Sequence, residues 1–331
     1  MEQRYGEELP LRSGGTTTRR SGVTQGLEHI VLGGAGYAGL FRPVRAEDAQ
    51  AALAAAWDAG IRAFDTAPHY GAGGSEERLG AFLRECPRAA YRLSTKVGRL
   101  LYDDPQAPDG AADFYGMPKR SRRRDYSADG VRRSLTDSLE RLGLDRVDLL
   151  LIHDPDDYQE EALAGAMPEL QRMRDLGVVA EIGIGVNDVA VALRFVREAD
   201  IDQVMIAGRY TLLDRRAEAE LLPECARRGI RVQVAGVLNS GILADPVRRA
   251  TFDYRQADGE VVERALAMDR LCATYDVPLR AAALQFPRRN AAVTATVIGA
   301  GTSAELSDTI AMLNTFVPEE LWDELDKAAP C

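Results

Sequence analysis

The chain has 331 residues, 46% hydrophobic and 28% charged, an ordinary balance for a globular protein with one or two cores. Its 51 acidic and 41 basic residues give a formal charge of -10, which argues against nucleic acid or an anionic membrane as main partner and for a small-molecule enzyme. Cys86, Cys225, Cys272 and Cys331 stand at neither zinc nor redox spacing, no stretch approaches the roughly 20 apolar residues of a membrane span, and Met1–Arg20 lacks an export signal, so a cytoplasmic protein with reduced thiols and no metal is expected.

In chain order, residues 1–22 are read as a loose arm, 23–317 as one domain and 318–331 as a terminal helix or tail. From Glu28 onward short aliphatic or β-branched runs alternate with longer amphipathic stretches, the pattern of repeated βα units. Strands are predicted at His29–Leu32, Arg62–Phe64, Tyr91–Thr95, Val147–Ile152, Ala180–Val186, Gln203–Ile206, Arg231–Ala235 and Thr294–Ile298. Helices are predicted to start near Ala46, Ser75, Ala128, Glu160, Asp188, Asp214, Glu260 and Ser303, with Ser75 and Ser127 as N-terminal caps and Gly60, Gly143, Gly177 and Gly229 as stops. Eight units in about 300 residues suit a closed (β/α)8 barrel better than a doubly wound open sheet.

Two connections are long, Gly98 to Tyr126 and Leu238 to Gly259, and in a barrel both lie on the rim where active sites are built. The run Lys119–Arg124 in the first is read as a solvated, mobile loop tip; its sharper reading is a clamp for an anionic substrate group or a cofactor phosphate. Gly34-Ala-Gly36-Tyr-Ala-Gly39 spells a dinucleotide fingerprint, but Pro43 intervenes and no helix opens until Ala46, so it is read as the first rim loop.

Three predicted strands end in chemistry: Asp65 after the second, Lys96 after the third and His153 after the fourth. Adjacent parallel strands lie about 4.8 Å apart, so an acid, an amine and an imidazole would share one patch of rim. Tyr70, in a glycine-flanked loop five residues past Asp65, can fold over them. Each alone has a structural explanation; together they suit proton transfer at an oxygen, with Lys96 drawing the Tyr70 pKa down from its usual ~10 and Asp65 holding the ammonium. No activated nucleophile accompanies them, so hydride would come from a cofactor. His29 and His69 have weaker claims, since His29 opens a strand and nothing fixes the direction of His69.

The phrases Gly60-Ile-Arg-Ala-Phe-Asp-Thr-Ala-Pro-His-Tyr-Gly71, Ser75-Glu-Glu-Arg-Leu-Gly80, Ser94-Thr-Lys-Val-Gly98 and Leu149-Leu-Leu-Ile-His153 resemble the signature of the aldo-keto reductases, from about Val23 to Glu324. Lys96–Leu101, Asp125–Gly130, His153–Asp156, Ala207–Leu213 and Asn239–Leu243 resemble the branch that oxidises aldoses and pyridoxal as cyclic hemiacetals. The resemblance implies Tyr70 as general acid–base, tuned by Lys96 and Asp65, with His153 orienting the substrate oxygen. It also implies NAD or NADP, held by Gly36, Asn187, the loop Leu238, Asn239, Ser240 and Gly241, and the segment Ala300, Gly301, Thr302 and Glu305. Tyr37, Phe41 and Arg209 are expected to touch a sugar-like or carbonyl substrate.

Some positions depart from the family pattern: Val186 precedes Asn187 where Ser is usual, Ala207 replaces a Gln, and Ala235 replaces the aromatic that stacks on nicotinamide. Ser307 stands where NADPH-preferring members carry Arg, which points to NAD. The other readings are an NADPH-dependent carbonyl reductase using the same four residues, and a non-catalytic regulatory barrel, against which the intact quartet argues.

Overall fold

The computed structural model describes residues 26–328. Eight parallel strands, β1 (Ile30–Gly33), β2 (Ala63–Asp65), β3 (Arg92–Val97), β4 (Leu149–His153), β5 (Glu181–Val186), β6 (Gln203–Ala207), β7 (Arg231–Ala235) and β8 (Val293–Gly299), close into a barrel with β8 beside β1. The strands are near-continuous apolar runs because both faces are covered. Alternation then divides them: Val31, Leu149, Leu151, Met205 and Val297 form one small cluster filling the barrel. Ile30, Leu32, Leu150 and Ile152, their neighbours in sequence, face outward into the larger core under the helices.

The helices are α1 (Ala46–Asp58), α2 (Gly74–Leu83), α3 (Ala128–Leu142), α4 (Met167–Asp175), α5 (Val189–Glu198), α6 (Leu221–Arg228), α7 (Gly259–Ala273), α8 (Leu279–Gln285), α9 (Ser303–Leu313) and α10 (Glu319–Ala328). Ser127, Asp188 and Thr302 cap α3, α5 and α9 by accepting backbone N–H bonds. Gly60, Gly143, Gly177 and Gly229 all have positive φ, as expected of helix stops. Helix α10 buries Leu321, Trp322 and Leu325 against the core. The arm assigned to residues 1–22 lies outside the described residues.

Several sequence expectations need correction. Ser75 is no cap: α2 begins one residue earlier, and the Ser75 hydroxyl is 2.8 Å from Thr66 Oγ1 and donates to Gly34 O. The sixth helix starts at Leu221 rather than near Asp214, whose carboxylate is engaged by Arg216 in a turn. Helix α8, opening after Pro278, was not expected.

The run Lys119–Arg124 is not a mobile tip. Arg120–Arg124 pairs antiparallel with Arg99–Asp103 to make a rim hairpin. Gly98 turns the chain into it at φ +100°, where a Cβ would sit 2.3 Å from the Tyr126 ring. A second, shorter hairpin joins Thr251–Phe252 to Arg255–Gln256 in the other long connection.

Candidate active site

Asp65 and His153 are the last residues of β2 and β4, and Lys96 is the penultimate residue of β3, so the register of adjacent strands sets them side by side at the rim. All three are buried. Lys96 Nζ donates to Asp65 Oδ2 at 2.6 Å and to Thr66 O at 3.1 Å, and Asp65 Oδ1 accepts from Ser94 Oγ at 2.7 Å. Tyr70, from the turn after β2, lies over them with its ring centroid 4.7 Å from Lys96 Nζ and 5.6 Å from the His153 ring, which stands edge-on at 86°. The structure thus brings the four expected residues together.

Their electrostatics differ in part from expectation. Burial disfavours the Lys96 ammonium, but the Asp65 carboxylate and the Tyr70 oxygen outweigh it and hold the Lys96 pKa above its usual value. Burial likewise pushes the Tyr70 phenol up to about 12, against the pull of Lys96. The expected downward shift is corrected: the Lys96 effect is present, but desolvation wins. His153 is held well below its ordinary pKa by burial and by the nearby Arg99, Lys96 and Arg124 charges, so the ring is neutral. Its 3.5 Å approach to Asp154 Oδ2 is therefore a polar contact rather than an ion pair.

His69 belongs to the same site, which sequence reasoning missed. Its ring lies 5.6 Å from His153, 6.2 Å from Tyr70 and 5.7 Å from Phe114. Burial, with the Arg99 and Arg122 charges, lowers its pKa to about 2. Asp154, in the left-handed region at φ +43°, is a junction: it accepts from Arg99 Nη2 at 2.7 Å and from Asn187 Nδ2 at 3.2 Å. The Tyr126 hydroxyl, 2.7 Å from His153 O, ties down the same strand end.

The residues expected at a cofactor follow β5, β7 and β8. Asn187 leaves β5 toward Asp154. The loop Leu238–Gly241 curls through positive φ at Asn239, Ser240 and Gly241 and leaves the Asn239 amide oxygen buried without a partner. The second hairpin fastens onto it, Tyr254 N donating to Ser240 Oγ at 2.9 Å and Thr251 Oγ1 to Ser240 O at 2.7 Å. After β8, Thr302 caps α9, Gly301 N donates to Glu305 Oε2 at 2.7 Å, and Glu305 also pairs with Arg42. An orphan amide oxygen and the positive N-terminal end of an 11-residue helix fit a dinucleotide laid along the β5, β7 and β8 side of the mouth. Gly36 packs on the Ala300 backbone, where a Cβ would sit 2.8 Å from Ala300 N, and so closes the rim between the first and last loops.

One of the three expected substrate contacts is corrected. Tyr37 is completely buried below the Gly34 loop and cannot flank a ligand. Arg209 braces the rim, donating to Asn187 O at 2.6 Å and to Asp253 Oδ1 at 2.7 Å. Phe41 is exposed, with its ring 6.0 Å from that of Tyr254 in the second hairpin.

No helix among the described residues is long and apolar enough to cross a membrane. The family model for the aldo/keto reductase family matches residues 29–330. The chain is 45% identical to the D-threo-aldose 1-dehydrogenase of a Pseudomonas species, covering 95% of this chain and 98% of that one. It is 39% identical to the pyridoxal 4-dehydrogenase of Microbacterium luteolum, covering 92% and 94%. Among solved structures, an aldo-keto reductase from Bacillus halodurans shares the fold at 22% identity and a TM-score of 0.74, covering 91% of this chain and 92% of that one. Matched along nearly its whole described length, the chain belongs to the aldo/keto reductase family and is an NAD(P)-dependent oxidoreductase acting on a small molecule.

Proposed function

We propose that the protein oxidises the anomeric hydroxyl of an aldose, or a similar cyclic hemiacetal, to a lactone, with NAD+ as acceptor. The observation that carries this reading is the Lys96–Asp65 pair buried beneath Tyr70, whose ring lies beside two neutral imidazoles. The names of the 45% and 39% identical relatives support the substrate class.

In this mechanism the Tyr70 phenolate accepts the anomeric hydroxyl proton. Lys96 stabilises the phenolate through its charge, and Asp65 keeps Lys96 protonated and in place. His153, neutral and therefore able to donate from one ring nitrogen, holds the substrate oxygen. Asn187 and the Leu238–Gly241 loop would hold the nicotinamide cofactor, whose chemistry would be that of a hydride acceptor for C1. A Tyr70 pKa raised to about 12 makes this step faster as pH rises.

Near neutral pH the same raised pKa keeps Tyr70 protonated, which suits it to donate a proton to a carbonyl; this supports a second reading, reduction of an aldehyde or ketone. For the adenosine end we infer NAD over NADP. Glu305 and Asp308 place carboxylates on α9, and the nearby Arg42 and Arg280 are already paired with them. A 2'-phosphate would meet negative charge without a free clamp.

The test is a turnover screen of L-fucose, D-arabinose, L-galactose and pyridoxal with NAD+ and NADP+ in parallel, with NMR identification of product. The expected result is lactone formed in step with NADH, and at least tenfold higher kcat/KM for NAD+ than for NADP+. Carbonyl reduction without oxidation of any of these compounds would move the assignment to the second reading.

A further inference from the structure

The first rim hairpin carries a charge that the proposed proton transfer does not use. In its register Arg99 faces Arg124 and Leu101 faces Arg122, so Arg99, Arg122 and Arg124 project from one face. That face looks onto the barrel mouth, since Arg99 reaches Asp154 after β4 and Arg122 reaches the residue before Tyr70. Most of these cations are answered: Arg99 by Asp154, Arg120 by Glu77 and Asp103, Arg123 by Asp125 at 4.0 Å, while Arg124 lies over the Tyr158 ring.

Arg122 differs. Like Arg124 it makes no ion pair among the described residues, but unlike Arg124 it has no ring against it: Nε and Nη2 donate to the His69 carbonyl at 3.2 and 3.1 Å, and Nη1 has no acceptor. Around it, Arg99 Nε, His69 Nδ1 and His153 Nδ1 are buried without partners. Arg122 is half-buried, and burial and the neighbouring Arg99 charge both lower its pKa, as expected of a cation partly withdrawn from water without a counter-ion. Such a group is costly to hold unless an anion joins it, and a planar guanidinium fork matches a carboxylate or phosphate. The chain as a whole carries -10, so this local excess of positive charge beside the catalytic loop runs against the overall balance.

We propose that Arg122, with Arg99 beside it, forms a subsite for an anionic oxygen group of the substrate, a carboxylate or a phosphate borne away from the reacting carbon on the His69 side of Tyr70. The inference rests on the aldose reading above and narrows it to acidic sugars or sugar phosphates.

Binding tests this without turnover. Calorimetric titrations at low ionic strength, with and without NAD+, compare D-galacturonate with D-galactose and D-ribose 5-phosphate with D-ribose. At least one anion should bind tenfold or more tightly than its neutral counterpart, and the arm that does so identifies carboxylate or phosphate. In Arg122→Gln that preference should fall to within threefold. In the wild-type protein, added salt should erode it by screening, a readout that needs no variant. Equal binding of anion and neutral sugar in both pairs, or a preference untouched by Arg122→Gln and by salt, overturns the subsite. If neutral aldoses are still oxidised in that case, only the subsite is lost; if the anion preference holds but no sugar is oxidised, only the aldose reading is lost.

Discussion

His69 and His153 stand edge to face with ring centroids 5.6 Å apart at 75°, two neutral imidazoles under arginine charge beside one tyrosine. Each is an uncharged group in the folded protein that the unfolded chain would protonate below its ordinary pKa of 6.5. A folded pKa below the unfolded one means stability is fully present above about pH 6.5 and is lost as pH falls, by about 1.4 kcal/mol per unit for each ring. Urea denaturation of wild type and His69→Asn at pH 7.5 and 5.5 checks this. The variant should lose about 1.4 kcal/mol less than wild type over that interval; an identical pH slope would mean that His69 titrates alike in the folded and unfolded chain.

The pair beneath Tyr70 governs both stability and rate. Replacing Lys96 by Met leaves the buried Asp65 carboxylate unpaired, at a cost of about 3–5 kcal/mol. The companion change Asp65→Asn should recover much of that in the double variant, because it removes the stranded charge. In any folded Lys96 variant the pH dependence of oxidation should move to still higher pH, since the Lys96 charge that lowers the Tyr70 pKa is gone. Denaturation curves and pH–rate profiles of the two single variants and the double variant check both points.

How much of this was legible in the sequence follows from what each residue's position depends on. Asp65, Lys96 and His153 were readable because strand ends in a barrel are set by apolar runs, and each residue is the last of its strand or, for Lys96, the last but one. His69 was not, because its direction is set by Phe114, 45 positions away in a separate rim loop, and by the His153 ring. The Arg120–Arg124 strand lacks apolar alternation, so nothing in its composition announced that it would pair with Arg99–Asp103. Tyr37 carried an aromatic signature, but its burial depends on how closely Gly34 approaches Ser75 and the Tyr37 hydroxyl, which only the folded loop reveals. The direction of the Tyr70 shift is not legible there, because charge is visible in a sequence and desolvation is not.

The proposed preference for NAD+ rests on α9. Glu305→Ala should free both Gly301 N–H and the Arg42 guanidinium, which are now held by the Glu305 carboxylate. Removing that negative charge and releasing a cation should raise kcat/KM for NADP+ at least tenfold relative to NAD+, about 1.4 kcal/mol. Steady-state kinetics with both cofactors decide it, and an unchanged ratio would place the 2'-phosphate elsewhere.

In the proposed mechanism Tyr70 moves the proton. The most direct measurement compares wild type with Tyr70→Phe, which keeps the ring against Lys96 and His153 and removes only the hydroxyl. Turnover should fall by about 10²–10⁴-fold, while NAD+ affinity, read by quenching of Trp57 and Trp322 fluorescence or by calorimetry, stays within threefold. A Tyr70→Phe protein that turns over at the wild-type rate would contradict the account.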